Sequence, residues 1–148
     1  MSKAINIFRK ISIFLFLGVL GWIYALFENE VRLLPKPSDL TISRDLFFYL
    51  TIGIFLLING LFLLIFKLGN NLFLGYGDDR IAWAKMIVPL VNVYLSLMIG
   101  SIGVLNNRSS FEPGAYAYLN YIGPFILMVW LLGVVYFFVY PHQKIIRK

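Results

Sequence analysis

Residues 77–106 read GDDRIAWAKMIVPLVNVYLSLMIGSIGVLN. Their interpretation decides the fold. From Met86 to Leu105 no residue carries a charge, and about 20 such residues suffice for a helix to cross a bilayer core. The run is not uniformly apolar. Pro89, Asn92, Ser96, Gly100 and Gly103 recur at spacings of three and four, which places them on one helix face. Leu90, Tyr94, Leu97, Met98 and Ile102 fall largely elsewhere. Lipid gains nothing from a stripe of small and polar residues. A neighbouring helix can approach closely over Gly and Ser and can satisfy an Asn. The segment therefore reads as the buried helix of a membrane bundle.

The rest of the chain agrees. Of 148 residues, 60% are hydrophobic and only 14% charged, with a mean hydropathy of +0.82. Soluble domains are about half apolar and a quarter charged. The excess lies in four uncharged runs, about residues 11–27, 46–66, 86–105 and 118–140. The expected fold is all-α and integral to the membrane: one domain, 1–148, built as a four-transmembrane-helix bundle with short loops.

The first run follows Lys3, Arg9 and Lys10, a shape shared with secretory signal peptides. It ends in WIYALFENE without a small-x-small cleavage site, so it reads as a retained span. Gly18, Gly21 and Ala25 share a face there and are the expected packing stripe. Residues 28–45 form a loop, in which Pro35 and Pro37 forbid a continuous helix. Ser43 is a candidate N-cap for the second span. Gly53 and Gly60 share a face of that span, and Lys67 and Gly69 suit its end. Residues 68–85 form a second connection, with a turn at Asn70 and Asn71 and flexible glycines at Gly75 and Gly77. Asp78 is a candidate cap, and Trp83 fits a membrane interface.

Lysine and arginine are distributed unevenly. Nine lie on the side holding both termini and residues 67–85, and four lie on the other. The positive-inside rule then puts both termini in the cytoplasm, most simply at the cytoplasmic (inner) membrane. The same flanking pattern accounts for the net charge of +6 without nucleic acid, for which no basic, aromatic-studded soluble module is present.

Candidate chemistry is sparse. The chain has no cysteine and one histidine, His142. Thiolate chemistry, thiolate metal sites and bis-histidine ligation within one chain are excluded. Asp78 and Asp79 are adjacent and point about 100° apart on a helix, so they suit capping better than a shared ion. Glu28 and Glu30 edge a loop. Pro89 and Pro124 each deprive a carbonyl four residues earlier of its donor and are expected to be packing features. No Asp, Glu, Lys, Arg or His falls inside the four runs, which argues against proton-coupled transport. No catalytic, cofactor or metal site emerges, and no enzyme is expected.

Asn59 and Asn92 stand out. Counted from the side of residues 67–85, both lie roughly 10 Å deep at about 1.5 Å per residue, level with each other on antiparallel neighbours. An interhelical hydrogen bond is the simpler reading, and a polar ligand site the other. Asn59, Asn92, Ser96, Gly100 and Gly103 thus form the candidate helix-packing or polar site. The leading expectation is a small subunit that packs on, assembles or stabilises a larger membrane complex, with lipids and a larger membrane protein or further copies as partners. The alternatives are a small oligomeric channel or carrier using the two asparagines, and a lipid-directed enzyme using Asp78, Asp79 or Glu28.

Overall fold

In the computed structural model, residues 2–34, 40–69, 78–107 and 118–139 are described. They form α1 (Ser2–Leu26), β1 (Glu30–Arg32), β2 (Thr41–Ser43), α2 (Arg44–Leu68), α3 (Asp78–Lys85), α4 (Ile87–Leu105) and α5 (Leu119–Val139). Three stretches, Lys3–Leu26, Arg44–Leu68 and Arg80–Leu105, are long and apolar enough to cross a membrane, and a fourth, Tyr121–Tyr136, is shorter. The expected turn at Asn70 and Asn71, the loop prolines Pro35 and Pro37, Gly75, Gly77 and His142 lie outside the described residues.

α4 is the hub. It packs against α1 and α5 along its length and against α2 at fewer points. Its burial follows the stripe: Val88, Pro89, Asn92, Ser96 and Ile99 are all buried. α1 runs parallel to α4, since Ser12 meets Asn92 and Ile23 meets Gly103 at a constant offset. α2 and α5 run antiparallel to it. The core beside α4 is largely aromatic and aliphatic. Phe16 of α1 stacks on Phe55 of α2 with centroids 4.0 Å apart, and Phe27 meets Phe47 edge-on at 5.6 Å.

Several boundaries follow the sequence. The Ser43 hydroxyl accepts from the Leu46 N–H at 3.3 Å, and the Gly69 N–H closes α2 on the Ile65 carbonyl. Others differ. α1 begins at Ser2, well before the uncharged run, because Lys3, Arg9 and Lys10 are good helix formers and nothing interrupts them. The third helix breaks at Met86. Pro89 has no N–H for the Lys85 carbonyl, and its ring crowds that turn. Met86 N–H therefore bonds back three residues to Trp83, at 3.1 Å, and the helix restarts with Leu90 N–H on Met86, at 3.3 Å. Pro124 sits near the start of α5 and leaves that helix continuous.

The expected loop 28–45 contains an antiparallel hairpin. Glu30, Val31 and Arg32 pair with Ser43, Ile42 and Thr41. Alternation along β1 drives Val31 fully into the core beside Phe27 and Phe47, while Glu30 and Arg32 fall on the opposite face.

The glycine stripe of α1 is turned the other way from expectation. Its buried face is Ser12, Phe16, Leu20, Ile23 and Phe27. Gly18, Gly21 and Ala25 are exposed, and a Cβ at either glycine would touch nothing. Bulky side chains on the opposite face gain more from burial, so they take the interior.

Candidate functional site

About a third of the way into the bundle from the end that holds Lys67 and Lys85, three helices converge on neutral polar groups. Ser12 comes from α1, Asn59 from α2, and Asn92 and Ser96 from α4. The two amides are reciprocal partners: Asn59 Nδ2 donates to Asn92 Oδ1 at 2.9 Å, and Asn92 Nδ2 donates to Asn59 Oδ1 at 3.3 Å. Asn92 Nδ2 also donates to Ser12 Oγ at 3.2 Å, and Asn59 Nδ2 to the Phe55 carbonyl at 2.9 Å. The Ser12 hydroxyl donates a hydrogen bond to the Arg9 carbonyl at 2.8 Å, and that of Ser96 donates to the Asn92 carbonyl at 2.8 Å. Each amide nitrogen has two N–H groups, so all four are committed. Asn92, Ser12 and Ser96 are buried. An apolar surround strengthens these bonds and makes an unpaired member costly. The network contains no ionisable group, and its amide N–H groups bond across and within the three helices.

The two glycines of the candidate site part company. A Cβ at Gly103 would lie 2.9 Å from Cδ1 of Ile23, so α1 and α4 do approach there. At Gly100 a Cβ would meet nothing within 4 Å, because Gly100 borders a cleft between α1 and α4 of about 800 Å³. Among the described residues of this chain, no helix contacts Gly100.

Three constellations were not anticipated. Asn106, just past α4, clamps the hairpin: its Oδ1 accepts the Arg32 N–H and its Nδ2 donates to the Arg32 carbonyl, both at 2.8 Å. The side-chain amide acts as one more rung on the edge of β1. Trp83 is half-buried and bonded to α5. Its Nε1 donates to the Trp130 carbonyl at 3.2 Å, and Trp130 Nε1 returns a bond to the Trp83 carbonyl at 3.0 Å. Gly133 makes room, since a Cβ there would fall within the Trp83 indole, as one at Gly123 would fall within the Tyr94 ring. A large residue facing a glycine on a distant helix leaves no signal in either segment alone. Lastly, Tyr24 donates its hydroxyl to Asp45 Oδ1 at 2.8 Å while Arg44 lies over its ring at 4.6 Å.

Glu28 and Glu30 lie at the mouth of the α1–α4 cleft and not with Asp78 and Asp79, whose side chains are outside the description. Among the described residues, no group of three His, Cys, Asp or Glu side chains could hold a metal ion. Comparison with protein families, curated proteins and solved structures finds no match to this chain.

Proposed function

We propose that this chain is a non-enzymatic, four-span membrane subunit that packs on and stabilises a larger membrane complex. The observation that carries this reading is the outward face of α2. Only Phe47 and Phe55 of that helix are buried. Opposite Phe55 lie Leu50, Gly53, Leu57, Gly60 and Leu64. The three leucines recur every seven residues and are exposed, and neither glycine's missing side chain would meet anything. Gly costs about 1 kcal/mol against Ala within a helix and gains no contact with lipid. Two hollows flanked by leucines at heptad spacing suit close approach by another apolar helix. The outward Gly18, Gly21 and Ala25 on α1 extend the same logic. The partner is a larger integral-membrane protein or further copies of this chain. The placement that accompanies this reading is the cytoplasmic membrane, with both termini on the cytoplasmic side. The carrier reading is weaker, because Asn59 and Asn92 spend their donors on each other, on the Phe55 carbonyl and on Ser12.

The test is gentle extraction followed by mass spectrometry of the intact assembly, for the native chain and for Gly53→Leu with Gly60→Leu. The expected result is a stoichiometric assembly that the double variant loses while its own melting temperature holds. An autonomous, partnerless chain that moves a solute across liposomes would instead establish the carrier.

A further inference from the structure

We propose that Arg9 and Lys10 of α1 form a binding site for the phosphate of an anionic phospholipid, drawn from the leaflet at the Lys67 and Lys85 end. The site needs the chain to lie in a membrane, as in the function proposed above, but needs no partner on α2. Asn92 bonds to both Ser12 and Asn59, so these three fix one layer shared by α1, α2 and α4. Lys67 lies eight residues beyond Asn59 and Lys85 seven before Asn92, roughly 10–12 Å from that layer at about 1.5 Å per residue. Arg9 and Lys10 lie only three and two residues before Ser12, roughly 3–5 Å from it. Their backbone therefore sits about 7 Å further into the bilayer than Lys67 and Lys85, inside the apolar stretch Lys3–Leu26. Ile5 and Ser12, which bracket them, are buried, so α1 cannot slide outward to lift both charges clear.

A charge at that depth needs a counter-ion or a route to water. Arg9 is half-buried and Lys10 exposed, and among the described residues neither has a carboxylate partner. The residues that follow α2 and α5, 69–77 and 140–148, contain no acidic side chain. Asp78 and Asp79 are too distant. Trp83 and Tyr94 face Gly133 and Gly123 of α5, so α3 continues along α5 in line with α4. Both aspartates then start roughly 15 Å beyond Arg9 along the bundle. Side chains on a helix lean toward its N-terminus, and the N-terminus of α1 points to the Lys85 end. Both arms therefore reach outward on apolar stems and draw phosphate and water in beside α1. Guanidinium and ammonium are both strong phosphate partners. A head that also carried an ammonium would set that cation beside Arg9 and Lys10 with no carboxylate to receive it, so a head of net negative charge is selected. The outward lean also carries both charges away from the depth at which a partner helix could offer a buried carboxylate.

The experiment is native mass spectrometry of the full chain in detergent with phosphatidylglycerol and phosphatidylethanolamine of matched acyl chains. The native chain should retain phosphatidylglycerol in preference by roughly twentyfold, about fivefold for each of two cations near a lipid surface. Lys10→Gln, at an exposed position, should cut the preference about fivefold with little change in melting temperature, and Arg9→Gln with Lys10→Gln should erase it. Lys3→Gln with Lys67→Gln, two exposed cations of the same end, should leave it largely intact. Equal retention of both lipids by the native chain would overturn the site. A preference that falls as far with Lys3→Gln and Lys67→Gln would overturn it too, since only the net charge of that end would then be read. Loss of a co-purified protein, with lipid unchanged, from the Arg9→Gln and Lys10→Gln variant would replace it by a partner's carboxylate. A lipid preference in a chain found without a partner would sink the subunit reading and leave this one standing.

Discussion

At the scale of single residues, the decisive quantity is whether a buried polar group keeps its partner. Asn92→Leu removes one amide and strands another: Asn59 Nδ2 and Oδ1 lose the bonds they share with it. A buried group left unpaired costs about 1–3 kcal/mol, whereas an interhelical bond in an apolar medium is worth about 0.6–2 kcal/mol. Asn59→Leu should cost a similar amount, and the double variant should cost less than the two added, because no orphan remains. Melting temperatures of the four proteins in one detergent give the coupling. Strict additivity would mean the amides do not depend on each other. The glycines separate by the same test. Gly133→Ala drives a methyl into the Trp83 indole and should cost about 1–3 kcal/mol, with a change in tryptophan fluorescence as the reciprocal indole bonds are lost. Gly18→Ala, with open space beyond it, should be neutral or mildly stabilising.

At the scale of elements, one side chain ties the hairpin to the end of α4 by hydrogen bonds. Asn106 supplies both hydrogen bonds that tie Arg32 to the end of α4. Asn106→Leu should free the edge of β1, so hydrogen exchange over residues 28–34 should quicken while α4 keeps its protection. Unchanged exchange there would mean that Val31 alone anchors the hairpin. This element also marks where sequence reading stops. The ends of α2 were legible because Ser43 and Gly69 cap by local rules. The meeting of Asn59 with Asn92 was legible because depth along a helix is simple arithmetic. The hairpin was not, because strands of three residues hold too little alternation to detect beside two prolines and mixed charges. The facing of the glycine stripes was not legible either. A small-residue stripe states that something approaches closely, but not whether that neighbour belongs to the same chain. On α4 the stripe faces α1 and α2 through Asn92, Ser96 and Gly103. On α1 and α2 the glycines face outward, and only the competing bulk of Phe16 and Phe55 decides it.

At the scale of the whole molecule, the antiparallel and parallel pairings settle which residues share an end. Thr41 and Asn107 lie at the hairpin end with Arg32 and Arg44. Lys10 and Lys85 lie at the other end with Lys3, Arg9, Lys67 and Arg80. Each of Thr41, Asn107, Lys10 and Lys85 is exposed. Moving a basic flank across a membrane is disfavoured on the cytoplasmic side, which is the physical content of the positive-inside bias. The richer end, with six of the eight basic residues among the described residues, should therefore face the cytoplasm. The chain contains no cysteine, so single substitutions report cleanly. Thr41→Cys and Asn107→Cys should react with a membrane-impermeant maleimide added to intact cells. Lys10→Cys and Lys85→Cys should react only after permeabilisation. The reverse pattern would invert the orientation while keeping the fold. Labelling of all four positions in intact cells would exclude a membrane-spanning bundle altogether, and with it the partner assigned to α2.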